Sequence, residues 1–166
     1  KDRGSKFLGF AFPVVSEEEI KKHLAELKKQ HPGANHHCYA FRLGADKQSY
    51  RANDDGEPSN TAGKPILGQI QSKDLTNILI VVVRYFGGTL LGVSGLINAY
   101  KLAGLDAIQN ATIIENTVND VYEIRFDYIH MNDAMKIIKE EELKILSQES
   151  ELTCSFTFSV RKSNST

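Results

Sequence analysis

Six consecutive aliphatic residues, Ile78 to Val83, form the longest apolar run in the chain. The run is too short to span a bilayer, which needs roughly 20 residues. It also lacks the alternation of a half-wet strand, and three of its members are Val. Asn77–Tyr85 therefore reads as a central β-strand buried on both faces. Such a strand needs a layer of structure on each side. The next residues begin to supply one. Arg84-Tyr85-Phe86-Gly87-Gly88-Thr89 leads through Gly92-Val93-Ser94-Gly95 into a segment whose Leu96, Ala99, Tyr100, Ala103 and Ala107 share one helical face. The 166 residues are 41% hydrophobic and 25% charged, near the globular average, and enough to bury such a core.

The segments before this unit alternate in type. Phe7–Val15 is β-like and stops at Pro13. Ser16 with Glu19 has capping-box spacing, and Ile20, Leu24 and Leu27 give the following helix its apolar face until His31-Pro32-Gly33 ends it. Cys38–Leu43 reads as a strand and Gln48–Arg51 as a weaker one. Asn53–Ala62 is a polar loop. Lys64–Gln71 is a short helix with Pro65 in its first turn. The order is β-α-β-β-α-β-α.

Texture changes beyond this. Ten of the 12 glycines lie between Gly33 and Gly104, and none follows. Residues 1–116 carry 14 Lys/Arg against 12 Asp/Glu, whereas residues 117–166 carry 6 against 9. A domain boundary is expected near Glu115–Thr117, dividing the chain into 1–116 and 117–166. In the second part Val121–Tyr128, Lys144–Gln148 and Leu152–Val160 read as strands. Met131, Ala134, Met135 and Ile138 form a helical stripe, giving β-α-β-β. A net charge of −1 excludes a globally basic nucleic-acid binder but leaves room for a local basic patch. Cys38 and Cys154 stand in no zinc pattern and read as reduced thiols of a cytoplasmic protein. Lys1–Lys6 carries no apolar run of the kind a secretory leader has, so no membrane role is expected.

Two segments carry candidate chemistry. Asp54-Asp55-Gly56-Glu57-Pro58 places three carboxylates within four positions, with Thr61 and Lys64 after them. This is either a cation- or substrate-binding loop or a solvated turn, since Asp-Gly and Glu-Pro are turn chemistry. It is neither an EF-hand nor a Walker A loop, because Pro65 occupies the position that should hold Ser or Thr. Arg84 to Gly95 follows a buried strand and opens a helix. It is either an anion cradle of backbone N–H groups, with Arg84 as a phosphate fork, or glycine used for tight packing. It is not GxGxxG, and Leu96 breaks GxSxG. His36 and His37 are adjacent in a strand, point to opposite faces, and read as structural.

His36-His37-Cys38, Asp54-Asp55-Gly56-Glu57-Pro58, Thr61-Ala62-Gly63-Lys64-Pro65, Val82-Val83-Arg84-Tyr85-Phe86-Gly87-Gly88, Leu90-Leu91-Gly92 and Gly95-Leu96 together resemble the signature of the YigZ/IMPACT family. The match covers about residues 3–110, and residues 118–166 resemble the start of the bacterial members' C-terminal domain. The resemblance implies an α+β protein. Its first domain would be an α/β sandwich like the second domain of a small-subunit ribosomal protein, shared by elongation factor G domain IV and the GHMP kinases. Its second would be a partial ferredoxin-like domain similar to domain V of that factor. The ferredoxin plan would need one more helix and strand than precede Thr166. Eukaryotic relatives act on translation by competing for an activator of a starvation-sensing kinase, partly through an N-terminal domain absent here.

The expected function is thus a translation-associated regulatory or binding protein contacting RNA, the ribosome or a translation factor, without a cofactor or metal. The expected binding residues are Arg51, Asp54, Asp55, Glu57, Thr61, Lys64, Arg84, Tyr85, Gly87, Gly88, Thr89 and Gly92. The alternative is a small-molecule or metal-binding enzyme using Asp54, Asp55 and Glu57 beside the Arg84–Gly95 loop. A third reading is a protein-interaction adaptor. An exposed basic face of Arg51, Lys64 and Arg84 favours the first, convergent carboxylates in a pocket favour the second, and an exposed apolar patch favours the third. Arg84 has a structural reading as well, as the buried partner of Asp54, Asp55 or Glu57.

Overall fold

The computed structural model describes residues 2–150 and 153–165, which divide into two compact units between Ile113 and Ile114. In the first, β1 (Lys6–Pro13), β2 (His36–Leu43), β3 (Ser49–Asn53) and β4 (Ile78–Tyr85) make one antiparallel sheet in the order β1-β4-β2-β3. The aliphatic run is therefore an inner strand, as its composition demands, and each of its faces has a core of its own. Leu79, Val81 and Val83 pack with Phe41, Ile20 and Leu27 under α1 (Glu17–Gln30). Ile80 and Val82 pack with Ile66, Ile70, Leu96 and Tyr100 from α2 (Gly63–Ser72) and α3 (Gly92–Gln109).

Local chemistry explains the helix ends. Ser16 Oγ accepts the Glu19 backbone N–H at the start of α1, and Glu19 reaches back to the N–H of Val15. Helix α2 has no capping side chain at Ala62. Asp54 supplies the cap from eight residues upstream, its carboxylate accepting the N–H groups of Ala62 and Gly63 at 3.1 and 2.8 Å. An anion at a helix N-terminus is favoured both by the unpaired N–H groups and by the helix dipole.

In the second unit β5 (Asn119–Asp127), β6 (Lys144–Ser150) and β7 (Thr153–Arg161) pair antiparallel in the order β5-β7-β6. Helix α4 (Met131–Glu140) lays Ala134 and Ile138 on Phe156 and Phe158. The β5-α4-β6 crossover leaves a slot into which β7 folds back, the split β-α-β arrangement of ferredoxin-like folds. Leu152, expected to begin the last strand, lies outside the described residues. Among those described, no helix is long and apolar enough to cross a membrane.

One glycine is fixed by close approach. A Cβ on Gly87 would stand 2.0 Å from the carbonyl carbon of Gly4 and 2.2 Å from the nitrogen of Ser5, so two backbones meet there. Gly88 has φ +83° but open space around it. Gly87→Ala is therefore expected to cost at least about 3 kcal/mol by overpacking, whereas Gly88→Ala costs about 1–2 kcal/mol of left-handed strain. Urea unfolding of the two variants measures the difference.

Candidate functional site

The site is built where β4 runs out. Residues alternate along a strand, so Arg84 shares its face with Ile80 and Val82 and points toward the α2 and α3 side. It is only 5% exposed. Its guanidinium carbon lies 5.4 Å from the Phe7 ring centroid and 5.5 Å from that of Phe86. A charge in such surroundings requires a partner. Glu57, 8% exposed, provides it, with Oε1 2.6 Å from Arg84 Nη1. The same oxygen accepts the Tyr100 hydroxyl at 2.6 Å. Ser5 Oγ lies 3.4 Å from Arg84 Nη2, and the second Glu57 oxygen is 3.8 Å from His36 Nε2. Arg84 Nε is buried and has no hydrogen-bond partner.

The other two carboxylates of the loop have different duties. Asp54 caps α2 and also takes the Asn60 N–H at 2.8 Å. Asp55 Oδ2 takes the backbone N–H of His37 at 2.7 Å. Thr61 is buried and donates to the Pro58 carbonyl at 2.6 Å. Among the described residues no three His, Cys, Asp or Glu side chains are grouped to hold a metal.

Cys38 Sγ sits 3.0 Å from the Asp54 carbonyl oxygen and 3.3 Å from Tyr100 Oη. Burial is the main reason its thiol is pushed up to about 12, and burial likewise raises the Tyr100 phenol. Both remain protonated at neutral pH, so neither is a ready nucleophile. His36 and His37 do face opposite ways. His36 Nδ1 contacts the Asp55 carbonyl at 2.9 Å on the Arg84 side, and His37, opposite Val83 in register, is buried.

The structure separates Arg51, Lys64 and Arg84, the three cations whose joint exposed face would have favoured the RNA reading. Arg84 is buried on the α2 and α3 side. Arg51 stands opposite Phe41 in the β2–β3 register and so lies on the α1 face. Lys64 is exposed in the first turn of α2. Tyr85 belongs to the α1 face as well, its hydroxyl 2.9 Å from His31 Nδ1. Gly88, Thr89 and Gly92 line an exposed turn, and Gly87 packs on Gly4.

The two motif loops nevertheless meet. Between them opens a cleft of about 440 Å³ whose floor includes Glu57 and Arg84. Its walls include Pro58, Phe86, Leu90 and Val93. Leu90 is 81% exposed, Val93 61% and Phe86 45%. These three were not among the residues expected from sequence. Helical spacing did not mark them: Leu90 lies ahead of α3, and Val93 stands three residues before Leu96 and seven before Tyr100, on the edge of the core stripe.

Two measurements check this account. Removing the Glu57 carboxylate strands a buried guanidinium, so Glu57→Ala is expected to lower stability by about 3–5 kcal/mol, and Glu57→Leu with Arg84→Met to recover most of it. Chemical denaturation of the single and double variants decides. His37 is pulled below its ordinary 6.5 chiefly by burial, against the opposing charge of Asp55. The unfolded chain then takes up a proton below pH 6.5 that the folded ring resists, so this stability is present above pH 6.5 and lost as pH falls through the lower folded value. His37→Gln is expected to flatten the acid side of the melting-temperature profile, and an unchanged slope refutes the assignment.

The geometry has relatives. The model of the Impact N-terminal domain matches residues 3–108. IMPACT family member YvyE of Bacillus subtilis (strain 168) is 33% identical over 138 residues, covering 83% of this chain and 64% of that protein. IMPACT family member YigZ of Escherichia coli (strain K12) is 33% identical over 147 residues, covering 87% and 72%. The chain thus spans slightly less than two thirds of the first of these relatives. A solved structure described as a hypothetical protein superposes with a TM-score of 0.76 at 30% identity, over 99% of this chain and 81% of that one. With a match that runs from β1 through α3 and takes in both motif loops, the chain belongs to the IMPACT family.

Proposed function

We propose that this chain is a translation-associated regulatory module that binds a protein component of the translation apparatus, a translation factor or a ribosomal protein, through the cleft between its two motif loops. The translational role rests on family membership and on what the family resemblance implies. One observation carries the choice of surface. The charged groups of the loops are spent on one another, Arg84 on Glu57 and Asp54 on the α2 N-terminus, while Phe86, Leu90 and Val93 stand exposed around an open cleft. A cation neutralised at 2.6 Å offers little to a phosphate, and the other two cations of the motif set, Arg51 and Lys64, stand apart from that cleft's lining. The enzyme reading has less support. Its three carboxylates hold different partners rather than a common point, and Cys38 is held as a thiol.

The chain is expected to capture a translation-apparatus protein from extract of its own cells equally well with and without RNase, and Val93→Asp is expected to lose it without a change in melting temperature. If RNase abolishes capture, and Lys64→Ala lowers the log–log salt slope of RNA binding by about one unit, RNA is the partner and the protein reading is overturned.

A further inference from the structure

The sheet of the first unit has an open edge. Strand β1 pairs with β4 along its whole length, from Lys6 opposite Tyr85 to Pro13 opposite Ile78, without a register shift. Among the described residues no strand pairs with its other side. An edge strand presents a row of unpaired N–H and C=O groups, and proteins blunt such edges with lysine, proline or bulges. Here the blunting residues, Lys6 and Pro13, stand only at the two ends. Phe7 to Phe12 between them are uncharged and half-buried.

A groove of about 420 Å³ follows this edge, and Gly9, Phe10, Ala11 and Phe12 all line it. Consecutive residues point to opposite faces of a sheet, so a groove that touches four in a row runs along the main chain. Its other wall is the end of α3, with Asp106, Ala107 and Asn110. Helix and strand are in close contact, since a Cβ on Gly9 would stand 2.4 Å from the Ala103 carbonyl oxygen. The two faces of the edge differ in chemistry. On the α3 face Asp106 is exposed, accepts only the Asn110 side-chain N–H at 3.2 Å and forms no ion pair among the described residues. Its carboxylate adds to the negative end of α3, whose last turn holds no basic residue. On the α1 face the Phe10 and Phe12 rings lie parallel, with centroids 6.5 Å apart.

We propose that the free edge of β1 takes up an extended segment of a partner protein that alternates basic with apolar side chains. The segment adds a strand to the sheet, main chain to main chain. Its basic side chains lie on the α3 face, toward Asp106 and the helix C-terminus, and its apolar ones lie beside Phe10 and Phe12. Main-chain pairing supplies affinity, and the alternation supplies specificity. A slip of one residue would set cations against the phenylalanines and hydrocarbon against Asp106, so the register is fixed as well. Acidic segments and nucleic-acid phosphates are disfavoured, because they would meet Asp106 and the C-terminal carbonyls of α3. The edge is a second surface. The cleft takes in Gly92, Val93 and Leu96 at the start of α3, whereas this groove lies at the other end of that helix.

The test uses the whole chain, labelled with ¹⁵N, and three probes. They are N-acetyl-Val-Lys-Val-Lys-Val-amide, its counterpart with Glu in place of both Lys, and the Lys peptide N-methylated at its three central amides. The Lys peptide is expected to bind with a Kd on the order of millimolar. It should shift the backbone resonances of Phe7–Phe12 and Asp106, and it should slow hydrogen exchange at alternate β1 amides, those that face the open edge. The Glu peptide should bind about tenfold more weakly or not at all, and the N-methylated peptide should not bind. Asp106→Lys, at an exposed position, should reverse the preference between the Lys and Glu peptides with the melting temperature unchanged. Val93→Asp, which alters only the cleft, should leave the Lys peptide bound as before, so the edge and the cleft fail separately. Equal binding of the Lys and Glu peptides, binding that survives N-methylation, or no shift of β1 by any probe overturns the proposal. Protection of the edge-facing β1 amides in the peptide-free chain overturns it as well, because the edge is then already occupied.

Discussion

A guanidinium buried at the end of the central strand governs the first unit. Arg84 cannot reach water from beneath Phe7 and Phe86, so the fold must bring a carboxylate to it. Glu57 does so from a loop 27 residues earlier, and in doing so pins that loop across the ends of β2 and β4. The cost of desolvating both charges is large, and the geometry offsets it with short contacts, a hydrogen bond that Tyr100 donates to Glu57 and one that Ser5 accepts from Arg84. Tyr100 belongs to α3, so one oxygen of Glu57 ties strand, loop and helix at a single point.

The loop that carries Glu57 is shaped for that duty. Asp55, Gly56 and Asn60 have positive φ values of 41°, 87° and 65°, the backbone of a tight polar turn. Folded this way, Asp54 reaches the bare N-terminus of α2 and Asp55 reaches the N–H of His37. A cluster of acids that resembles a cation site is thus a set of three separate anchors. Glu57 also borders the cleft, around which Phe86, Leu90 and Val93 are exposed.

That outcome bears on function. Of the basic residues the motifs carry, Arg84 is paired with Glu57 and neither Arg51 nor Lys64 lines the cleft, whereas Phe86, Leu90 and Val93 stand exposed around it. Large exposed apolar side chains are costly to leave in water, which is why the proposed contact surface is placed there. In the second unit β5 and β7 pair Glu123 with Thr157 and Arg125 with Ser155 on the face away from Phe156 and Phe158.

Much of this architecture was legible in the sequence. The run Ile78–Val83 could only be a strand covered on both sides, because six aliphatic residues in a row leave no wet face. Ser16 with Glu19 marked a helix start and Pro65 a first turn. The adjacency of His36 and His37 already placed them on opposite faces. What the chain alone could not reveal were the long-range choices. Which of three neighbouring acids pairs with Arg84 depends on where each points once Asp55 and Gly56 take positive φ. The capping of α2 by Asp54 joins groups that no local pattern links. The separation of Arg51 from Arg84 follows from parity in the register: Arg51 pairs with Phe41 on one face while Arg84 lies on the other. Periodicity and turn chemistry are local and survive in one dimension. The neutralisation of a charge, and therefore the character of the surface beside it, is settled only when distant segments share a low-dielectric volume, because only there does the choice of partner carry kilocalories.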